Sequence, residues 1–97
     1  MLPEVSTDRT IDVVLVESSG CHLCEDAAAT LEELAPRHRL LVRRFDLSSA
    51  EGRAIMRAHR APMPPIVVID GELLGWGRIS RGKLGRRLDA LDAESAR

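Results

Sequence analysis

The change of period inside "IDVVLVESSGCHLCEDAAATLEEL", Ile11 to Leu34, constrains this chain more than any other stretch. Ile11 to Glu17 is β-branched and apolar over a strand's length, the pattern of a strand buried in a parallel sheet. Ser18-Ser19-Gly20 interrupts it. From His22 onward, Leu23, Ala27, Leu31 and Leu34 recur at helical spacing and make one apolar stripe. Glu25, Asp26, Glu32 and Glu33 lie mostly off that stripe, and Pro36 ends the helix. A buried strand that runs straight into an amphipathic helix needs a second strand parallel to the first, joined by a right-handed crossover.

The rest of the chain supplies that strand and closes a sheet. "RLLVRRFD", Arg39 to Asp46, reads as the second strand. "SSAEGRAIMRAHR" opens with Ser48-x-x-Glu51, a capping box, so a second helix starts near Ser49. Its apolar side carries Ala54, Ile55 and Ala58, with Met56 partly included. "APMPP" cannot be regular structure. "IVVID", Ile66 to Asp70, is a third strand, Asp70-Gly71 is a hairpin signal, and "ELLGW" returns as the fourth. Ser80 caps a last helix whose stripe is Leu84, Leu88 and Leu91, with Ile79 and Leu84 placed as a hydrophobic staple. The expected order is β-α-β-α-β-β-α, an α/β fold with a four-stranded mixed sheet. The first and third helices cover one face and the second covers the other. Residues 1–10 form a loose N-terminal segment, 11–93 one domain and 94–97 a tail.

Composition narrows the function. With 97 residues there is room for one domain with a modest core. One Phe, one Trp and no Tyr leave that core to Val, Leu, Ile and Ala. Thirteen of the 14 basic residues are Arg, but they are scattered and balanced by 15 acids. A chain with no basic block and few rings to stack bases is a poor nucleic-acid binder. The start "MLPEVSTDRT" lacks the charged and apolar regions of a signal peptide, and no apolar run is long enough to span a bilayer. The expected location is cytoplasmic, without a membrane partner.

Cys21 and Cys24 are the only cysteines. Two cysteines cannot make the disulfide framework of a small secreted domain, and a lone C-x-x-C in a cytosolic chain points to catalysis or metal binding. Cys21 falls at the strand–helix junction, at or one residue from the N-cap. There the free amides and the positive end of the helix dipole stabilise a thiolate, lowering its pKa below the ordinary value of about 8.5. A protonated His22 adds to this, while Glu25 and Asp26 oppose it. Cys24 lies one turn further on, within reach of Cys21. The bland alternatives are two inert buried thiols, or half of a zinc or iron-sulfur site. For a metal, His22, His38 and His59 would have to help, and the last two belong to other helix ends.

"CHLC" between a strand and a helix, followed about forty residues later by "PPIVVIDGELLGWG", resembles the thioredoxin superfamily and, within it, small bacterial glutaredoxin-like proteins. The resemblance spans Ile11 to Leu91. It implies the thioredoxin-like fold and thiol–disulfide exchange, with Cys21 as nucleophile and Cys24 as resolving thiol. No cofactor or resident metal is implied. It also implies a cis-proline facing the disulfide, either Pro65, by its spacing to "IVVIDG", or the adjoining Pro64. The implied partners are a disulfide-containing protein or low-molecular-weight thiol, with a reductase or thiol as electron donor, and the chain is expected to act as a monomer. The rival reading is a binding module that keeps the fold and holds a partner, a metal or an iron-sulfur centre.

Several residues depart from the family pattern. Leu23 stands where thioredoxins carry Pro, His22 where glutaredoxins commonly carry it, and Leu15 where thioredoxins keep a buried aspartate. Pro64 has no N–H with which to clasp a peptide or glutathione. In "GWGR", Trp76 replaces the second glycine of the glutathione-holding stretch and Arg78 replaces its acid. Trp76 is read either as a cap on the core beneath the last helix or as a flat surface near the site. His22, Pro64, Pro65, Trp76 and Arg78 are therefore the expected substrate-binding residues, with His22 either a tuning group or a solvated helix-start residue. Met63 reads as loop packing, and Arg43, Arg44, Arg53, Arg57 and Arg60 as a solvated face.

Overall fold

The computed structural model describes residues 10–95. Apart from exposed Thr10, the N-terminal segment lies outside them. Strand β1 (Ile11–Glu17) leads to helix α1 (His22–Leu34), which closes in a 3-10 turn at Ala35–Arg37 that contains Pro36. Strand β2 (Leu40–Asp46), helix α2 (Ala50–Ala58), the hairpin β3 (Ile66–Ile69) and β4 (Glu72–Trp76), and helix α3 (Arg81–Ser95) follow. Helix α3 continues through two residues of the 94–97 segment expected as tail.

The sheet order is β2-β1-β3-β4. β1 and β2 are parallel, in register from Ile11↔Leu40 to Glu17↔Asp46, while β1–β3 and β3–β4 are antiparallel. The hairpin turns on Asp70 and Gly71, both at positive φ (50° and 86°), which is why Asp-Gly sits there. Asp70 also ties the turn to β1, its Oδ1 accepting the Asp12 N–H at 3.0 Å. Leu74 is the extra residue of a β-bulge, since Val67 pairs with Gly75 and Val68 with Leu73.

Strand alternation divides the core in two. Ile11, Val13, Leu15, Val67 and Ile69 face α1 and α3, where they meet Ala27, Leu31, Leu34, Leu84, Leu88 and Leu91. Val14, Val16, Ile66 and Val68 face the other way, toward Ile55 and Met56 of α2. The helices therefore lie on both faces as expected.

Three sequence expectations are corrected. Cys24, not Leu23, begins the buried stripe of α1, and Leu23 is half-buried. Ser49, not Ser48, caps α2, its Oγ accepting the Gly52 N–H at 3.0 Å, so Glu51 falls outside a capping box. Ser48 is drawn instead into a turn, where its N–H donates to Asp46 Oδ2 at 2.8 Å. Ala54 and Ala58 are exposed, because α2 approaches the sheet edge through Gly52.

Candidate active site

The four strands bring the candidate residues to one end of the sheet. Phe45, Val16, Ile66 and Trp76 form one row across β2, β1, β3 and β4. From that row the chain leaves β1 toward Cys21, arrives at β3 directly from Pro65, and leaves β4 through Gly77. The Gly77 N–H donates to the Pro65 carbonyl at 2.8 Å and holds the last two segments together.

Cys21 is the N-cap of α1, with extended backbone (φ −105°, ψ 107°). Its Sγ accepts the Cys24 N–H at 3.1 Å, the place usually filled by a serine or aspartate oxygen. The sulfur thus sits on the free amides of the first turn, where negative charge is stabilised. Cys21 and Cys24 are joined as a disulfide, with Cα atoms 5.2 Å apart. The two differ in access: Cys21 is partly exposed and Cys24 is 2% exposed against the core. An incoming group reaches Cys21 first.

The surrounding residues are unequal. The His22 side chain is 95% exposed, its Nδ1 3.6 Å from Glu25 Oε1 across the first turn. Leu15 is fully buried in the core. The Pro64–Pro65 bond is cis, with Pro65 buried and Pro64 half-buried. Trp76 is 43% exposed, so its ring presents apolar surface at this end of the sheet. Arg78 is exposed and, with Ile79, Ser80 and Lys83, lines a cavity of about 230 Å³ beside β4.

Met63, read from the sequence as loop packing, is exposed and has its sulfur 4.0 Å from where a Cβ on Gly77 would lie. Met63 and Trp76 put exposed apolar surface on the two segments joined by the Gly77–Pro65 bond. On the β2 side, the Glu17 carboxylate grips Arg44 and raises its pKa, and the Ser48 hydroxyl and N–H hold the Asp46 carboxyl below the usual range. His38 is remote from this end in its contacts, with Nδ1 2.5 Å from Asp92 of α3. Among the described residues no three His, Cys, Asp or Glu side chains converge to hold a metal ion. No helix among them is long and apolar enough to cross a membrane.

No protein-family model and no curated protein sequence matches the chain. Solved structures do. A mutant thioredoxin from Halobacterium salinarum superposes with TM-score 0.66 at 21% identity, covering 91% of this chain and 80% of its own. The thioredoxin Deadhead of Drosophila melanogaster gives TM-score 0.65 at 18% identity, with coverages of 89% and 85%. Mitochondrial thioredoxin 3 of Saccharomyces cerevisiae, in its oxidized form, gives 0.64 at 17%, with coverages of 88% and 82%. With its four-stranded mixed sheet, helices on both faces and a C-x-x-C disulfide at the start of α1, this chain has the thioredoxin fold.

Proposed function

We propose that the protein is a glutaredoxin-like thiol–disulfide oxidoreductase that acts on a protein or low-molecular-weight disulfide. The observation that carries this reading is the asymmetry of the pair: an accessible Cys21 sulfur on the helix N-terminus and a buried Cys24 one turn behind it. In the reduced protein, the Cys21 thiolate attacks one sulfur of the substrate disulfide. The substrate S–S bond breaks, a mixed disulfide forms, and the leaving thiolate takes a proton from solvent. Cys24, deprotonated, then attacks Cys21 and expels the second substrate thiolate. The substrate has gained two electrons and the protein holds them no longer, its pair closed as the disulfide. A thiol or a reductase in a reducing compartment such as the cytoplasm would restore the dithiol. Catalytic reduction of a small aromatic disulfide by the protein, with a dithiol as electron source, tests the reading. A rate no faster than that of the dithiol alone would remove it.

Glutathione is expected to be a poor substrate thiol. Pro64 offers no N–H, Trp76 sets a ring where a glycine would let the tripeptide lie close, and Arg78 faces its ammonium with a like charge. A missing neutral hydrogen bond costs on the order of 1 kcal/mol and a charge-assisted one on the order of 2 kcal/mol. Together these weaken binding by about a hundredfold, less whatever Arg78 recovers from a glutathione carboxylate. Turnover of a glutathione mixed disulfide should therefore be slow and unsaturated with glutathione as donor, and faster with a thioredoxin reductase. Saturation at low glutathione would show that the clasp survives these changes.

A further inference from the structure

We propose that the cleft between the C-terminal end of α1 and the first turns of α3 binds a phosphate dianion, free or as a monoester. The cleft is a cavity of about 340 Å³, ample for a phosphate group, and Arg37, Arg81 and Arg86 all line it. Arg81 is neutralised by Glu33. Glu33 and Asp89 also line the cavity, and Asp89 has its Oδ1 3.5 Å from Nε2 of His38, a ring 3% exposed whose Nε2 makes no hydrogen bond. The side chains of Arg37 and Arg86 have no hydrogen-bond or ion-pair partner among the described residues. Two guanidinium groups, from the turn after α1 and from α3, thus line one cavity without an ion pair of their own, and its three arginines outnumber its two acids.

Two glycines line that cavity. Gly82 and Gly85 do so from within α3, although glycine is the poorest helix former after proline. Tight packing does not explain them. A Cβ on Gly85 would meet nothing within 4 Å, and one on Gly82 would meet only side-chain tips, the nearest being Arg86 Nη1 at 3.1 Å. Gly52 differs, because a Cβ there would strike backbone. Gly85 provides empty space in the cleft, and Gly82 leaves room for the Arg86 guanidinium to lie against α3. A phosphate matches the cleft better than a carboxylate. It presents several oxygens in different directions and two charges, so each arginine can grip it through its fork of donors.

The test is a titration of the full-length oxidised protein, followed by amide NMR, with inorganic phosphate and, in a parallel arm, glycerol phosphate. Sodium chloride at matched ionic strength is the control. Saturable shifts at Gly82, Gly85 and Arg37 are expected with one or both phosphates and not with chloride; the tighter ligand identifies the source. The Arg37→Gln/Arg86→Gln double variant should weaken binding about tenfold or more. Gly85→Leu fills the cleft with a good helix former, so it should raise the melting temperature while losing the phosphate response. Shifts that never saturate, that chloride reproduces, or that persist unchanged in both variants would overturn the site.

Discussion

Cys21→Ser is expected to abolish disulfide reduction, a loss of roughly a thousandfold or more, because a serine hydroxyl is not ionised at neutral pH and cannot displace a thiolate. Cys24→Ser should behave differently. Cys21 keeps its place on the helix N-terminus, attacks once, and stops at the mixed disulfide because nothing behind it can resolve the bond. Mass spectrometry after one addition of disulfide should find the Cys24→Ser protein heavier by one substrate thiol, and the Cys21→Ser protein unmodified. The reverse pattern would exchange the two roles. Trapping from cell extract with Cys24→Ser would then show whether the stalled partners are proteins.

The second large effect falls on stability. Gly52→Ala improves helix propensity by about 1 kcal/mol, yet it should strongly destabilise the protein. The added Cβ would land on the Asp46 carbonyl oxygen and lie 3.0 Å from Leu47 Cα, and neither atom can swing aside as a side chain can. Helix α2 would have to lift from the end of β2. That loosens the Ser49 N–H bond to the Asp46 carbonyl (2.9 Å) and the packing of Ile55 and Met56 on the sheet. A net loss of about 3 kcal/mol is expected, lowering the melting temperature by roughly 12–24 °C for a domain of this size. Gly85→Ala is the control: with open space around its Cβ it should raise the melting temperature slightly. Equal behaviour of the two variants would show that the close approach of α2 to β2 is not required.

The contrast between these glycines shows where sequence reasoning stops. Both sit in helices and both look like poor helix formers; only the distance to another segment's backbone separates a required glycine from a permitted one. The strands were legible because β-branched runs and the Asp-Gly turn are local signals, and β1 and β4 fall on the residues those signals mark. The stripe of α3 was legible because three leucines at helical spacing leave no alternative face. The stripe of α1 was misplaced at its start because cysteine and leucine compete for the first buried position. Burying Cys24 sets its sulfur against the core, bonded to Cys21, and leaves Leu23 half-buried. The cap of α2 shifted by one residue because Ser48 and Ser49 are both good caps, and Asp46 decides between them by engaging Ser48.

The candidate site was legible in its chemistry and less so in its surroundings. C-x-x-C at a strand–helix junction is a local pattern, and Cys21 sits at the N-cap as its position implied. The exposure of Trp76 and of Met63 depends on how the end of β4 and the "APMPP" segment meet, which no periodicity records.

Alkylation of the reduced protein tests the central claim most directly. Brief treatment with iodoacetamide at neutral pH, followed by peptide mapping, should label Cys21 well before Cys24, since Cys21 is both accessible and placed on the helix N-terminus. Preferential labelling of Cys24, or equally slow labelling of both, would contradict it.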